Sequence, residues 1–200
     1  MSSHPAHSVF YPARRTATYT TSPTDADGIK LSVATSLTAV TYSAATLDGV
    51  LGNPGPAVVA KLPMNVSIAT TSDAATYNVT NPIVVTGTSG NGQVQTENIY
   101  LTATNGNETV VGLLGFATVV SVAFPAQLTT NGAFTVGVLD TVLSPPGRRI
   151  RGGATAGGVS LVFDDGTADV HPFVEGEHLD VWVSKVVWAT TTSTTFTVYR

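Results

Sequence analysis

The chain has no cysteine, which excludes a disulfide framework and any thiolate-held metal. Charge is scarce as well. Asp, Glu, Lys and Arg make up 11% of the residues, against about 25% in a typical domain. The formal net charge is −4, the wrong sign for a nucleic-acid binder, which needs a basic face to displace counterions. No run approaches the ~18 consecutive apolar residues of a membrane helix. The opening residues, MSSHPAHSVFYPARR, lack the apolar centre of a secretory signal. These absences predict a soluble protein made in a cytoplasm, with neither nucleic acid nor a membrane as partner.

What fills the space is Thr, Ser, Gly, Asn and Ala around a 42% hydrophobic complement. That is enough apolar matter for a core, and too little charge for a disordered chain. Threonine and valine favour strands, because branching at Cβ is tolerated on a pleated surface and penalised in a helix. A surface of Thr, Ser and Ala is also inexpensive to bury against another protein, since its side chains carry little entropy.

Residues 1–28 read as an irregular N-terminal arm, interrupted by Pro5, Pro12 and Pro23 and closing on the turn-forming TSPTDADG. From Ile29 to 140, short apolar runs alternate with turn signals. IKLSVAT places Ile29, Leu31 and Val33 on one face; AVVAKL, NVSIATT, PIVVTG, QVQTENIYLTAT and AFTVGVLD continue the series. None carries the 3.6-residue period of a helix, and the spacing suggests an antiparallel β-sandwich. The stretch from 141 to 158 contains SPPGRRIRGGATAGG, whose prolines, glycines and arginines read as a loop or linker. Residues 159–200 resume as a smaller C-terminal β portion, free to join the main sandwich.

The glycines of VTGTSGNGQVQTENIYL, residues 85–101, pose the first functional question. A phosphate-binding loop leaves a strand and opens a helix, whose amides meet the anion. Here the following QVQTENIYL is a strand sequence, so Gly90-Asn91-Gly92 reads as a hairpin turn, as do Asn105-Gly106-Asn107 and Asn131-Gly132. DADG at 25–28 begins like a calcium loop, but no bidentate Glu follows at the required distance, and a turn is the better reading. His171, Glu175, Glu177, His178 and Asp180 are the densest set of metal-capable side chains, yet they straddle a Glu-Gly-Glu turn with no helix to fix them. His4 and His7 lie in the arm. No G-x-S-x-G elbow marks a nucleophile. The chain is therefore expected to carry no catalytic site, no metal and no cofactor.

Three N-x-S/T triplets, at Asn65, Asn78 and Asn107, are chance matches in so Thr-rich a chain. Trp182 and Trp188 share one face of VWVSKVVW with Val186, while Val181, Val183 and Val187 share the other, which predicts a strand buried on both sides. Arg148, Arg149 and Arg151, with the smaller pair Arg14 and Arg15, are the candidates for gripping a protein partner.

NVSIATTSDAATYNVTNPIVVTGTSGNGQVQTENIYL followed by TVVGLLGFATVVSVAFP resembles a group of tailed-bacteriophage virion proteins. The resemblance covers about residues 58–140 and rests on a strand, a TG-x-x-x-x-G hairpin, x-T-E-x-I and a G-x-x-x-F-x-x-V strand. It implies an all-β accessory component of the particle, made in the host bacterium. The leading expectation is a capsid decoration or cement protein: a homo-oligomer, most simply a trimer, bound to the major capsid protein on the outer head. A neck, tail or baseplate component, or a carbohydrate-binding β-sandwich for host attachment, are the alternatives.

Overall fold

The computed structural model describes residues 16–19, 25–47, 63–72, 76–153, 157–187, 191 and 196–199. All regular structure among them is β, in antiparallel sheets, as the composition predicts. In chain order the strands are β1 (Thr16–Tyr19), β2 (Asp25–Ala34), β3 (Val40–Ser43), β4 (Met64–Thr71), β5 (Ile83–Thr88), β6 (Val94–Ile99), β7 (Thr109–Val111) and β8 (Thr118–Phe124). They continue as β9 (Ala133–Gly147), β10 (Arg149–Gly152), β11 (Gly157–Phe163), β12 (Ala168–Phe173), β13 (His178–Leu179), β14 (Val183–Val187) and β15 (Phe196–Tyr199). Among the described residues no helix is long and apolar enough to cross a membrane.

Strand β9 is the spine. Along one side it pairs with β4, from Met64↔Thr141 to Thr71↔Ala133. On its other side β2 pairs with its first half and β14 with its second. β11 and β12 extend this large sheet beyond β14, and β7 closes it beyond β4. A four-stranded sheet in the order β3-β8-β5-β6 packs on it, with Phe124 of β8 lying 4.7 Å, ring to ring, from Phe134 of β9. A third sheet, β1-β15-β10-β13, joins strands from far apart in the sequence. Its Ile150, Phe196 and Val198 belong to the same apolar cluster as Val66, Val85, Val122 and Phe134. The described residues of 159–200 thus share the core of the rest.

Two stretches read as irregular are strand. Thr16–Tyr19 of the expected arm pairs with Phe196–Tyr199, and β2 begins already at Asp25, so DADG lies inside a strand. Removing residues 1–20 would therefore take a strand with it. The expected loop at 141–158 carries the end of β9, all of β10 and the start of β11. The prolines are accommodated by a bulge: Val142↔Lys185 and Gly147↔Val183 leave five steps on β9 against two on β14. Proline has no N–H to donate, and a bulge is where that costs least.

Bulges also overturn two simple alternations. In β2 the register shifts on both sides of Lys30, so Lys30 is buried and Leu31 is exposed, although Ile29 and Val33 are in the core. The Lys30 ammonium lies 5.3 Å from the centre of the Tyr42 ring, a cation–π contact that helps to offset its burial. In β14 a shift between Val183 and Lys185 buries Val183 and Val186 while Trp182 stands 51% exposed. The expectation that the Trp182 strand is buried on both faces is corrected accordingly; Trp188 lies outside the described residues.

Candidate functional site

The three central arginines are fixed by the strands that replace the expected loop. Arg149 and Arg151 are two residues apart on β10 and so point to one face, while Ile150 between them is fully buried on the other. Arg149 forms a fork with Asp180: its Nε and its Nη2 both reach the carboxylate, the latter at 3.0 Å. That hydrogen bond, more than the charge itself, holds the Asp180 carboxyl below the usual range. Arg151 is exposed and stands opposite His178 on one side and Thr197 on the other. His178 faces Tyr199, with ring centres 6.3 Å apart. Arg148 lies just before β10, with its guanidinium carbon 4.9 Å from the centre of the Trp182 ring. Arg14 and Arg15 lie outside the described residues.

The histidine–carboxylate set is dispersed rather than convergent. His171 Nε2 is 3.1 Å from Glu177 Oε1, and the other Glu177 oxygen accepts the Val174 amide at 3.0 Å. The Val174 amide first, then His171, lower the Glu177 carboxyl. His171 also packs edge-on against Phe173, 4.5 Å between centres. Asp180 is turned to Arg149, His178 to Tyr199, and Glu175 is exposed at the turn. Among the described residues no three His, Cys, Asp or Glu side chains are placed to share a metal ion.

The glycine-rich stretch is a hairpin between β5 and β6, paired from Ile83↔Ile99 to Thr88↔Val94. Its amides are consumed inside the turn, Ser89 donating to Gln93 O and Gly92 to Ser89 O. Gly92 takes the positive φ, as do Gly106, Gly166 and Gly176 in the other turns. Asn131-Gly132 is different: Gly132 has no positive φ and is buried where a Cβ would sit 2.8 Å from both Thr76 Cγ2 and the Tyr77 hydroxyl.

A surface the sequence reading did not single out lies on the outer side of the β3-β8-β5-β6 sheet. Directly paired residues share a face, and the pairs there are Thr86↔Thr96, Thr88↔Thr118, Thr86↔Ser121 and Ser43↔Ser121, with Val84 between Asn98 and Ala123. Hydroxyls touch across strands, Thr86 to Thr96 at 3.3 Å and Thr88 to Thr118 at 2.6 Å. None of these residues is charged. The one acid of β6, Glu97, turns to the other side and accepts the amides of Leu113 at 2.5 Å and Leu114 at 3.2 Å. The signal was the alternate spacing of Thr86 and Thr88, with Thr96 set opposite Thr86 across the hairpin.

No protein-family model, curated protein or solved structure matches this chain. The surface is known by its chemistry.

That chemistry divides in two. The four-stranded sheet presents a neutral, short-side-chain face, whose burial against protein loses little rotamer entropy and strands no charge. The β10 region presents fixed cations beside aromatic rings, a combination common at the centres of protein interfaces.

Proposed function

We propose that this protein is a structural component that docks onto a larger protein assembly through the uncharged outer face of its β3-β8-β5-β6 sheet. The observation that carries this reading is the threonine ladder centred on Thr86, Thr88, Thr96 and Thr118, free of charge across four strands. In the form implied by the resemblance, the assembly is a tailed-phage particle and the partner its major capsid protein, with this chain as an outer decoration or cement. Many copies on a repeating lattice gain avidity, so each contact can be modest. Placement on the neck, tail or baseplate uses the same surface.

Trp182 supplies the one observation in favour of a sugar-binding module, because it is half exposed. Carbohydrate stacking needs an open ring face, and Arg148 already covers one. Docking onto protein is the better fit.

The test combines immunogold labelling of intact particles with re-binding to particles stripped of the protein. Gold over the head supports decoration; gold at the neck or tail moves the site of docking. Thr86→Lys with Thr96→Lys introduces charge into the ladder without touching the core, and should abolish re-binding while the β spectrum is unchanged. Full re-binding by that variant would exclude this face.

A further inference from the structure

One end of the large sheet finishes in a charged row. There β9 runs out through Gly147 to Arg148, β14 begins after Trp182, and β11 ends at Phe163 before Asp164. Val183 pairs with Gly147 on one side and Phe163 on the other, so the three strand ends lie side by side. The Asp164 amide donates to the Trp182 carbonyl at 3.1 Å, and Arg148 lies over the Trp182 ring. The order across the end is therefore cation, indole, carboxylate, spanning about 10 Å at the usual strand spacing. Arg148 and Asp164 are exposed, and Trp182 is half exposed between them.

We propose that this row is a two-fold contact between two copies of the chain. An isologous interface needs each copy to carry both halves of every pair, and this row does. A half-turn about an axis through Trp182 sets Arg148 against the partner's Asp164, does so twice, and brings the two indoles together at the centre. An acidic partner would match Arg148 but meet Asp164 with like charge; a basic partner would do the reverse. A second copy satisfies both ends at once. Tryptophan and arginine are also the residues over-represented where interface energy is concentrated. Such a contact is steered and stabilised by charge, and so weakens with salt. It joins copies in pairs, and is separate from both the three-fold association expected from the sequence and the threonine face.

Sedimentation velocity on the full chain tests this. The wild-type protein should dimerise at low salt and dissociate as salt is raised. Arg148→Glu and Asp164→Lys should each weaken self-association at least about tenfold, because each sets like charges together at two places. Mixed one to one, the two variants should associate again, since every contact in the mixed pair is once more between opposite charges. Asp165 is left unchanged because its carboxylate holds the Thr167 amide in the turn, so both variants keep the wild-type β spectrum. A wild-type chain that stays monomeric at low salt, dimers indifferent to either reversal, or a mixture that fails to associate would each overturn the proposal.

Discussion

Lys185 on β14 places its ammonium 2.5 Å from the carboxylate of Asp140 on β9, where the two halves of the chain meet. Asp140 is buried, and its amide donates at 2.7 Å to Asn65 of β4, itself buried. Three strands are thus tied at one buried polar point. Lys185→Met removes an ammonium from a buried carboxylate, and should cost about 2–4 kcal/mol. Urea unfolding is the measurement; a loss below ~1 kcal/mol would place the pair among ordinary surface bridges.

Tyr77 closes a second junction. Its hydroxyl donates to Ala133 O at 3.0 Å and accepts the Thr71 amide at 2.8 Å, while its ring packs 5.1 Å from Phe134. Burial is the main cause that raises its pKa, outweighing the hydrogen bonds that lower it. Tyr77→Phe keeps the ring and orphans both backbone groups, so a loss of about 1–3 kcal/mol is expected. An unchanged melting temperature would show that those groups find other partners.

Gly87 sits where β5 and β8 fall out of register, between Thr86↔Ser121 and Gly87↔Val119. A Cβ there would lie 2.0 Å from the Thr118 carbonyl oxygen, and backbone cannot step aside as a side chain does. Gly87→Ala should therefore cost at least ~2 kcal/mol, despite alanine's better intrinsic propensity in regular structure. Gly92→Ala tests the other role of glycine in the same hairpin: it meets nothing within 4 Å and is strained only by its φ of +82°. Its cost should be about 1 kcal/mol. Equal costs at the two positions would refute the distinction.

Acid should loosen the C-terminal strands. Asp180 is held low by its hydrogen bond from Arg149, and Glu177 by the Val174 amide and then His171. For a carboxyl whose folded pKa is depressed, the unfolded chain binds the proton first as pH falls. The stabilisation is then present above the ordinary carboxylate range and lost on descending through the folded value. The melting temperature should hold near neutral pH and fall below about pH 5. Asp180→Asn combined with Glu177→Gln should flatten that descent; an identical slope in the double variant would assign the acid sensitivity elsewhere.

The class of the fold was legible because Thr, Val and Ile alternate locally, and β5 is the clear case: Ile83, Val85 and Gly87 are buried while Val84, Thr86 and Thr88 are not. Parity failed at Leu31 and Trp182 for one physical reason. A bulge inserts a residue without changing composition, and its position is set by the strand opposite, which the local sequence does not contain. The same reason hid the strands in SPPGRRIRGG, where prolines mark a bulge rather than a break. Arg148, Arg149 and Arg151 could be picked out as a cluster, but their partners could not. Asp180 lies 31 residues from Arg149, and only the pairing of β10 with β13 beside it brings them together. The threonine ladder was readable in principle, since the hairpin register alone sets Thr86 opposite Thr96.

The pairing of β1 with β15 has a consequence for how the protein is made. β15 occupies an interior position of its sheet, between β1 and β10, so that sheet cannot form until almost the last residue described has been synthesised. At about 5–20 residues per second, some 10–40 s separate the emergence of β1 from that of its neighbour. During that interval β1 has no mate, and once β10 has been made its open edge offers a template to any passing strand until β15 follows. The ribosome and the cell's holding factors must therefore keep an early segment waiting for a late one, which favours prompt completion of each chain and low local crowding of nascent chains when the protein is produced.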